Sequence, residues 1–308
     1  MHAGLAKVAA MQNDLPALSP LRALLLRHAA EGITETAVPG LRLYRSGATT
    51  TPVPVVYEPM LCVVVQGRKR VILGERVHYY DAAHCLVVSL ELPVVGAVCE
   101  ASQQAPYLAL SVALDRAELA SLLLQLPPDR TPVPANVALE VSTMSAPLAD
   151  ASLRLVQLLE SPRDIAVLAP LVRRELLYRL LMGPQGPMLR QIAHGEGRLG
   201  QVQQAIAWIR EHYDEPLRVE ALATQVALSN SSLHRHFKAA TQLSPLQYQK
   251  QVRLQQARER LMAEQTDAAS VAYAVGYESA SQFSREFKRL FGHPPAEAAK
   301  RWRQEVAV

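Results

Sequence analysis

A chain of 308 residues, 49% apolar and 19% charged, has material for two domains with their own cores and excludes a disordered polypeptide. No apolar run reaches the roughly 18 residues that span a bilayer, and the first residues lack the charged, apolar, small-residue order of a signal peptide, so a cytoplasmic protein without a membrane partner is expected. The net charge of +4 is localised: from Arg198 onward there are 15 Lys and Arg against 11 Asp and Glu, whereas the preceding residues balance at 17 each, a bias that suits a phosphate-facing surface in the last third.

Between 41 and 114 the sequence is Val-rich and punctuated by turn residues, which predicts strands over 41–44, 60–66, 70–73, 86–90, 94–100 and 107–114. Short strands at this spacing imply a sandwich or barrel. Gln66, Arg68, Lys69 and Arg70 fall between two of them and are expected as a charged hairpin tip. The three cysteines, Cys62, Cys85 and Cys99, lack a CxxC spacing and lie in apolar segments, which predicts buried, reduced thiols. A redox role would need an exposed thiol of lowered pKa. His78 and His84 are six apart with no HxH pair, so no metal set, no cofactor and no catalytic residue is predicted.

After Asp115 the periodicity becomes helical, over 116–125, 147–160 and 169–182, the last two as an antiparallel pair. GPQGP and HGEGRLG then bring five Gly and two Pro into 183–200, which predicts a linker. The expected organisation is α+β: a β-barrel with a helical segment over 1–182, then an all-α domain over 201–308. Helices are predicted in that second domain over 201–213, 219–227, 231–241, 245–263, 267–275, 280–291 and 295–302.

Within it SNSSLHRHFKAATQLSP and ESASQFSREFKRLFGHPP register at an offset of 50 residues, pairing Leu233 with Phe283, Arg235 with Arg285, Phe237 with Phe287, Lys238 with Lys288 and Pro245 with Pro295. In each copy a short helix bearing Leu222-Ala223 or Val271-Ala272 leads through a tight turn into a second helix, the helix-turn-helix arrangement. Leu233 and Phe237, like Phe283 and Phe287, stand at i and i+4 and are expected in the core. The opposite faces carry Ser231, Ser232, His234, Arg235 and Lys238 in the first copy, and Ala280, Ser281, Gln282, Ser284, Arg285 and Lys288 in the second. Short hydroxyls permit close approach, amide and guanidinium read base edges, and lysine meets phosphate. The 19 residues of 245–263 form a connector of roughly 28 Å, near the ~34 Å between successive major grooves on one face of a duplex. One chain is therefore expected to carry two reading heads for double-stranded promoter DNA.

At these residues VAYAVGYESASQFSREFKRLFGHPP resembles the signature of the AraC/XylS family of transcription regulators. The likeness extends upstream through LATQVALSNSSLHRHFKAATQLSPLQYQKQVRLQQARERLM and covers about 199–302. It implies reading positions at Ser231, His234 and Arg235 and at Ala280, Ser281, Gln282 and Arg285, with small residues at Ser231 and Ala280 where many members have larger ones. The stretch from YEPMLCVVVQGRKR to YLALSVALD, within 27–182, resembles the cupin-like N-terminal domain of one subgroup. That resemblance implies an effector-binding or dimerising barrel, a homodimer formed through the helices after it, and RNA polymerase as a partner; it does not identify the effector. Two other readings stand beside this one: a cupin-type metalloenzyme with a helical appendage, and a regulator whose barrel only dimerises and answers no ligand.

Overall fold

The computed structural model describes residues 15–82, 84–127, 137–195, 197–263 and 267–306. Among the described residues its N-terminal part is built on ten strands: β1 (Gly32–Glu35), β2 (Leu41–Ser46), β3 (Val53–Tyr57), β4 (Met60–Gln66), β5 (Arg68–Leu73), β6 (Arg76–Asp81), β7 (His84–Val88), β8 (Leu92–Glu100), β9 (Tyr107–Ala113) and β10 (Leu139–Thr143). They form two antiparallel sheets, one of six strands in the order β1-β2-β9-β4-β7-β10 and one of four in the order β3-β8-β5-β6. The result is a cupin-like arrangement of two sheets rather than one closed cylinder. β4 and β9, central in the larger sheet, are almost wholly buried, which explains their unbroken Val and Leu runs.

The turn from β4 to β5 is reduced to Gly67, so Gln66 belongs to one strand and Arg68, Lys69 and Arg70 to the next, correcting the expected hairpin tip. Gly67 has φ +80° and a side chain there would strike the Glu100 carbonyl, so glycine is required for the chain to cross between sheets. Of the cysteines, Cys62 and Cys85 are buried, whereas Cys99 is exposed, a correction to the expectation of three buried thiols: it lies on the last, solvent-facing turn of the pleat in β8. Four strands were not predicted, β1, β3, β6 and β10. His78 in β6 and His84 in β7 fall in different sheets, and His84 is held by Asp81 at 2.7 Å.

Helix α1 (Leu18–His28) buries Leu18, Leu21, Leu24 and Leu25 against the larger sheet. After β9 come α2 (Arg116–Leu123), then α3 (Ala146–Gln157) packed along α4 (Ile165–Leu181). The stretch expected to be a linker carries α5 (Gly186–His194), whose Met188, Leu189, Ile192 and Ala193 are buried, and Gly195 and Gly197 beyond it both take positive φ, 64° and 74°. Seven helices follow: α6 (Gly197–Glu211), α7 (Val219–Gln225), α8 (Asn230–Thr241), α9 (Pro245–Ala263), α10 (Ala268–Ala274), α11 (Ala280–Phe291) and α12 (Pro295–Val306). One apolar core runs from the sheets through α3 to α6 into α7, α8 and the start of α9. A separate one holds the rest of α9 with α10, α11 and α12.

Candidate nucleic-acid interface

The two halves of the repeat fold alike from the caps inward. Ser229 stands before α8 and accepts from the Ser232 amide, and Ser279 stands before α11 and accepts from the Gln282 amide, so both second helices start on the same serine cap. Both end on a left-handed residue, Gln242 at φ 61° and Gly292 at φ 83°. The preceding short helices end 49 residues apart and the second helices begin 50 apart, so the second turn is one residue longer. Gly276 in that longer turn has φ +86° and presses on the Asp214 backbone, leaving no room for a side chain.

On the inner faces Leu233, Phe237, Phe283 and Phe287 are fully buried, as the i, i+4 spacing predicts. Phe237 meets the Tyr248 ring edge-on at 5.5 Å. Phe287 gathers Phe283, Phe291 and Trp302 at 5.4, 4.5 and 6.0 Å. Such packing fixes the axis of each second helix. On the outer faces Ser231, His234, Arg235 and Lys238 are exposed, and Ser232 is half-buried and receives a hydrogen bond from the Ser229 hydroxyl at 2.9 Å. Ser281, Gln282, Arg285 and Lys288 are exposed in the second copy, with Ala280 and Ser284 half-buried. Each helix thus gathers its named residues on one face, with Ala280 alone of them packed against the second core.

Three residues that sequence reasoning missed organise this surface. Glu286 lies within the second helix and accepts from Lys250 (2.9 Å), the Tyr277 hydroxyl (2.9 Å) and Gln282 (3.2 Å). Burial pushes its carboxyl up, but these three donors outweigh it and hold the group below the usual carboxylate range. Arg253 of α9 donates to the carbonyls of Tyr213 (2.6 Å), Gly276 (2.7 Å) and Glu215 (2.8 Å), tying the end of α6 and the second turn to the connector. Arg258, one turn further, lies over the Trp302 ring at 5.2 Å and donates to the Pro54 carbonyl in β3 at 3.1 Å. Only the sequence position of Glu286, one residue before a core Phe, signalled any of this.

Arg258 is also part of a seam between the sheets and the helical repeat. The Tyr248 hydroxyl donates to the Glu91 carbonyl at 2.9 Å, Arg210 pairs with the Glu91 carboxylate, and Gly74 at the β5–β6 turn lies against Gln242. α11 runs beside β3 and α9 beside β8. Behind β3 is a cavity of about 770 Å³ whose wall includes Val53, Val55, Tyr57, Tyr44, Cys62 and Lys69. Burial raises the pKa of Cys62 and of Cys85, which keeps both thiols protonated and argues against a redox role for either.

A paired, capped helix-turn-helix with exposed hydroxyl, amide and guanidinium faces defines a DNA-binding class of protein. Residues 37–188 match the model of the AraC-type transcriptional regulator N-terminus, and residues 222–301 match a helix-turn-helix domain model. The chain belongs to the AraC family of transcription regulators. The HTH-type transcriptional activator RhaS of Salmonella schwarzengrund is 32% identical over 145 residues, covering 46% of this chain and 51% of that protein. RhaS of Escherichia fergusonii is 32% identical over 132 residues, 42% and 46% of the two chains. The chain thus spans about half the length of the curated relatives it matches. Among solved structures, ToxT from Vibrio cholerae with a bound unsaturated fatty acid superposes at a TM-score of 0.59 with 11% identity, covering 84% of this chain and 94% of that one. ToxT bound to (E)-4-(8-methylnaphthalen-1-yl)but-3-enoic acid gives 0.59 and 12%, covering 84% and 97%. These likenesses show a shared fold.

Proposed function

We propose that the chain is a cytoplasmic, homodimeric regulator that binds promoter DNA through α8 and α11, answers a small-molecule effector in its N-terminal sheets, and recruits or repositions RNA polymerase. The observation that carries this is the doubled, identically capped helix with one face locked in a core and the other exposing reading residues. In this reading Ser231, Ser232, His234, Arg235 and Lys238 meet one major-groove segment, and Ala280, Ser281, Gln282, Ser284, Arg285 and Lys288 the next. The domain division is a sensor and dimerisation unit over 1–182, a joint over 183–200 and a DNA-binding unit over 201–308. The 19-residue α9 holds the two heads roughly 28 Å apart along its axis. The description of RhaS as a transcriptional activator supports a role at promoters.

Effector response is supported by the cavity behind β3 and by the ligands in the ToxT structures. The wall that a ligand touches, β3, is the strand whose Pro54 carbonyl holds Arg258, so occupancy would bias how α9 and α11 are presented. A homodimer contact fits α4, where Val167 and Leu171, one turn apart, are 68% and 61% exposed. The test is DNA binding by full-length Arg235→Ala and Arg285→Ala on a selected operator. Each variant is expected to lose ~1 to 3 kcal/mol and base preference at its own half of the site. Unchanged affinity and preference in both would overturn the reading.

A further inference from the structure

The cavity behind β3 has a chemistry of its own, and its deepest cation was expected on a solvent-exposed turn. Lys69 lies on the same face of β5 as the buried Val71 and Leu73, so the two-residue period of the strand turns it inward to the cavity wall. Its ammonium lies 5.4 Å from the Tyr57 ring centroid and 5.9 Å from that of Tyr44. No carboxylate pairs with it among the described residues. Burial pulls the Lys69 ammonium toward the neutral form, but the surrounding Tyr57 and Cys62 outweigh that effect and keep it charged.

The groups around it are short of acceptors. The hydroxyls of Tyr57 and Tyr107 and the Nε of Arg45 are buried without a well-formed hydrogen bond among the described residues. All three residues line the cavity with Lys69. The acids on the same wall are already engaged: Glu35 binds Arg42 at 2.6 Å, Glu58 lies 3.8 Å from Arg42, and Glu31 accepts from the Gly47 amide at 2.9 Å. What remains is one ammonium and one guanidinium, which only donate, and two hydroxyls able to donate beside them. The lining also has an apolar part, Val53, Val55, Val56 and Met60. A volume of about 770 Å³ suits a drug-sized organic molecule.

We propose that the effector is an organic carboxylate with an apolar body, its carboxyl group held by Lys69 with Tyr57, Tyr107 and Arg45 and its body laid along β3. This rests on the effector-responsive reading above and narrows it to a chemical class. A neutral polyol leaves the ammonium unpaired, and a cation meets Lys69 and Arg45 with like charge.

The experiment is calorimetric titration and thermal-shift measurement of the full chain with octanoate, 4-phenylbutanoate and 1-naphthylacetate, each beside its amide and alcohol. The acids are expected to bind at least about tenfold more tightly than their neutral analogues, since the charge-assisted bonds to Lys69 are lost in the latter. Lys69→Met should bring acid and amide to equal affinity, and Lys69→Arg should retain the preference. Tyr107→Phe, which keeps the ring, should weaken the acids alone. Equal binding of acids and neutral analogues by the parent chain, no binding of any acid, or an undiminished preference in a folded Lys69→Met variant would overturn the proposal. Operator binding measured on the same samples separates the two claims. Its persistence without acid preference removes the effector class alone, whereas its absence removes the regulatory reading as well.

Discussion

Arg253 is the residue on which the geometry of the two reading heads depends most. Replacing it by Met keeps an unbranched apolar side chain but removes the guanidinium over the Tyr277 ring and with it all the donors that reach Tyr213, Gly276 and Glu215. Hydrogen bonds from a charged group contribute about 1.5 to 3 kcal/mol each when sheltered. The bond to Glu215 faces water and is discounted entirely, while the other two are partly buried, so water replaces about half of what they supply and the net loss is about 2 kcal/mol. At ordinary slopes this lowers the urea midpoint by about 1 M. The functional consequence is larger than the stability loss. With the second turn released from α9, the second head no longer binds at the high local concentration the connector gives it, and affinity for a two-part operator should fall by at least about tenfold toward that for half an operator. Urea unfolding and fluorescence-anisotropy titration with whole and half operators measure both. A midpoint within about 0.2 M of the parent, with an unchanged ratio of whole-site to half-site affinity, would refute the reasoning.

Ala227 is exposed and holds φ 55° in the first turn, so Ala227→Gly should stabilise the chain by about 0.5 to 1 kcal/mol in urea unfolding. A loss of stability would show that the turn is not strained. Glu286 has a folded pKa below its unfolded value, so its contribution is fully present above the usual carboxylate range and is lost as pH falls through the folded pKa. Glu286→Gln should therefore flatten the acid limb of stability against pH between about 5 and 3, and an unchanged limb would contradict the three-donor account. Leu171→Glu places a charge on the exposed stripe of α4 and should shift sedimentation from dimer to monomer with little change in melting temperature. A persistent dimer would move the contact elsewhere.

Where local chemistry alone determines structure, the sequence was readable. The i, i+4 aromatics of the repeat, the bounds of α9 and α11 and the buried runs of β4 and β9 all follow from periodicity. β3 was missed because Pro54 breaks its strand pattern, and its position next to β8 in the smaller sheet is a tertiary fact. Gly186 and Pro187 look like breakers in the sequence, yet they occupy the first turn of α5, where a missing donor costs little. The run Arg68, Lys69, Arg70 looks like a solvated turn, yet within β5 Lys69 shares the face of Val71 and Leu73 and so points inward. Arg253 has no local signal, since its partners lie 23 to 40 residues away, and Glu286 has one only in its place before Phe287, because its donors Lys250 and Tyr277 lie 36 and 9 residues away.

The central claim is that one chain reads two successive major-groove segments from one rigid connector. It is tested most directly by titrating the full-length protein against its selected operator with 0, 5 or 10 base pairs inserted between the segments contacted by α8 and α11. Inserting 5 pairs rotates one segment by about half a turn and should reduce affinity to that of a half operator. Inserting 10 restores the facing but adds ~34 Å, beyond the reach of a helix of 19 residues, and should not recover it. Equal affinity for all three operators would contradict the account.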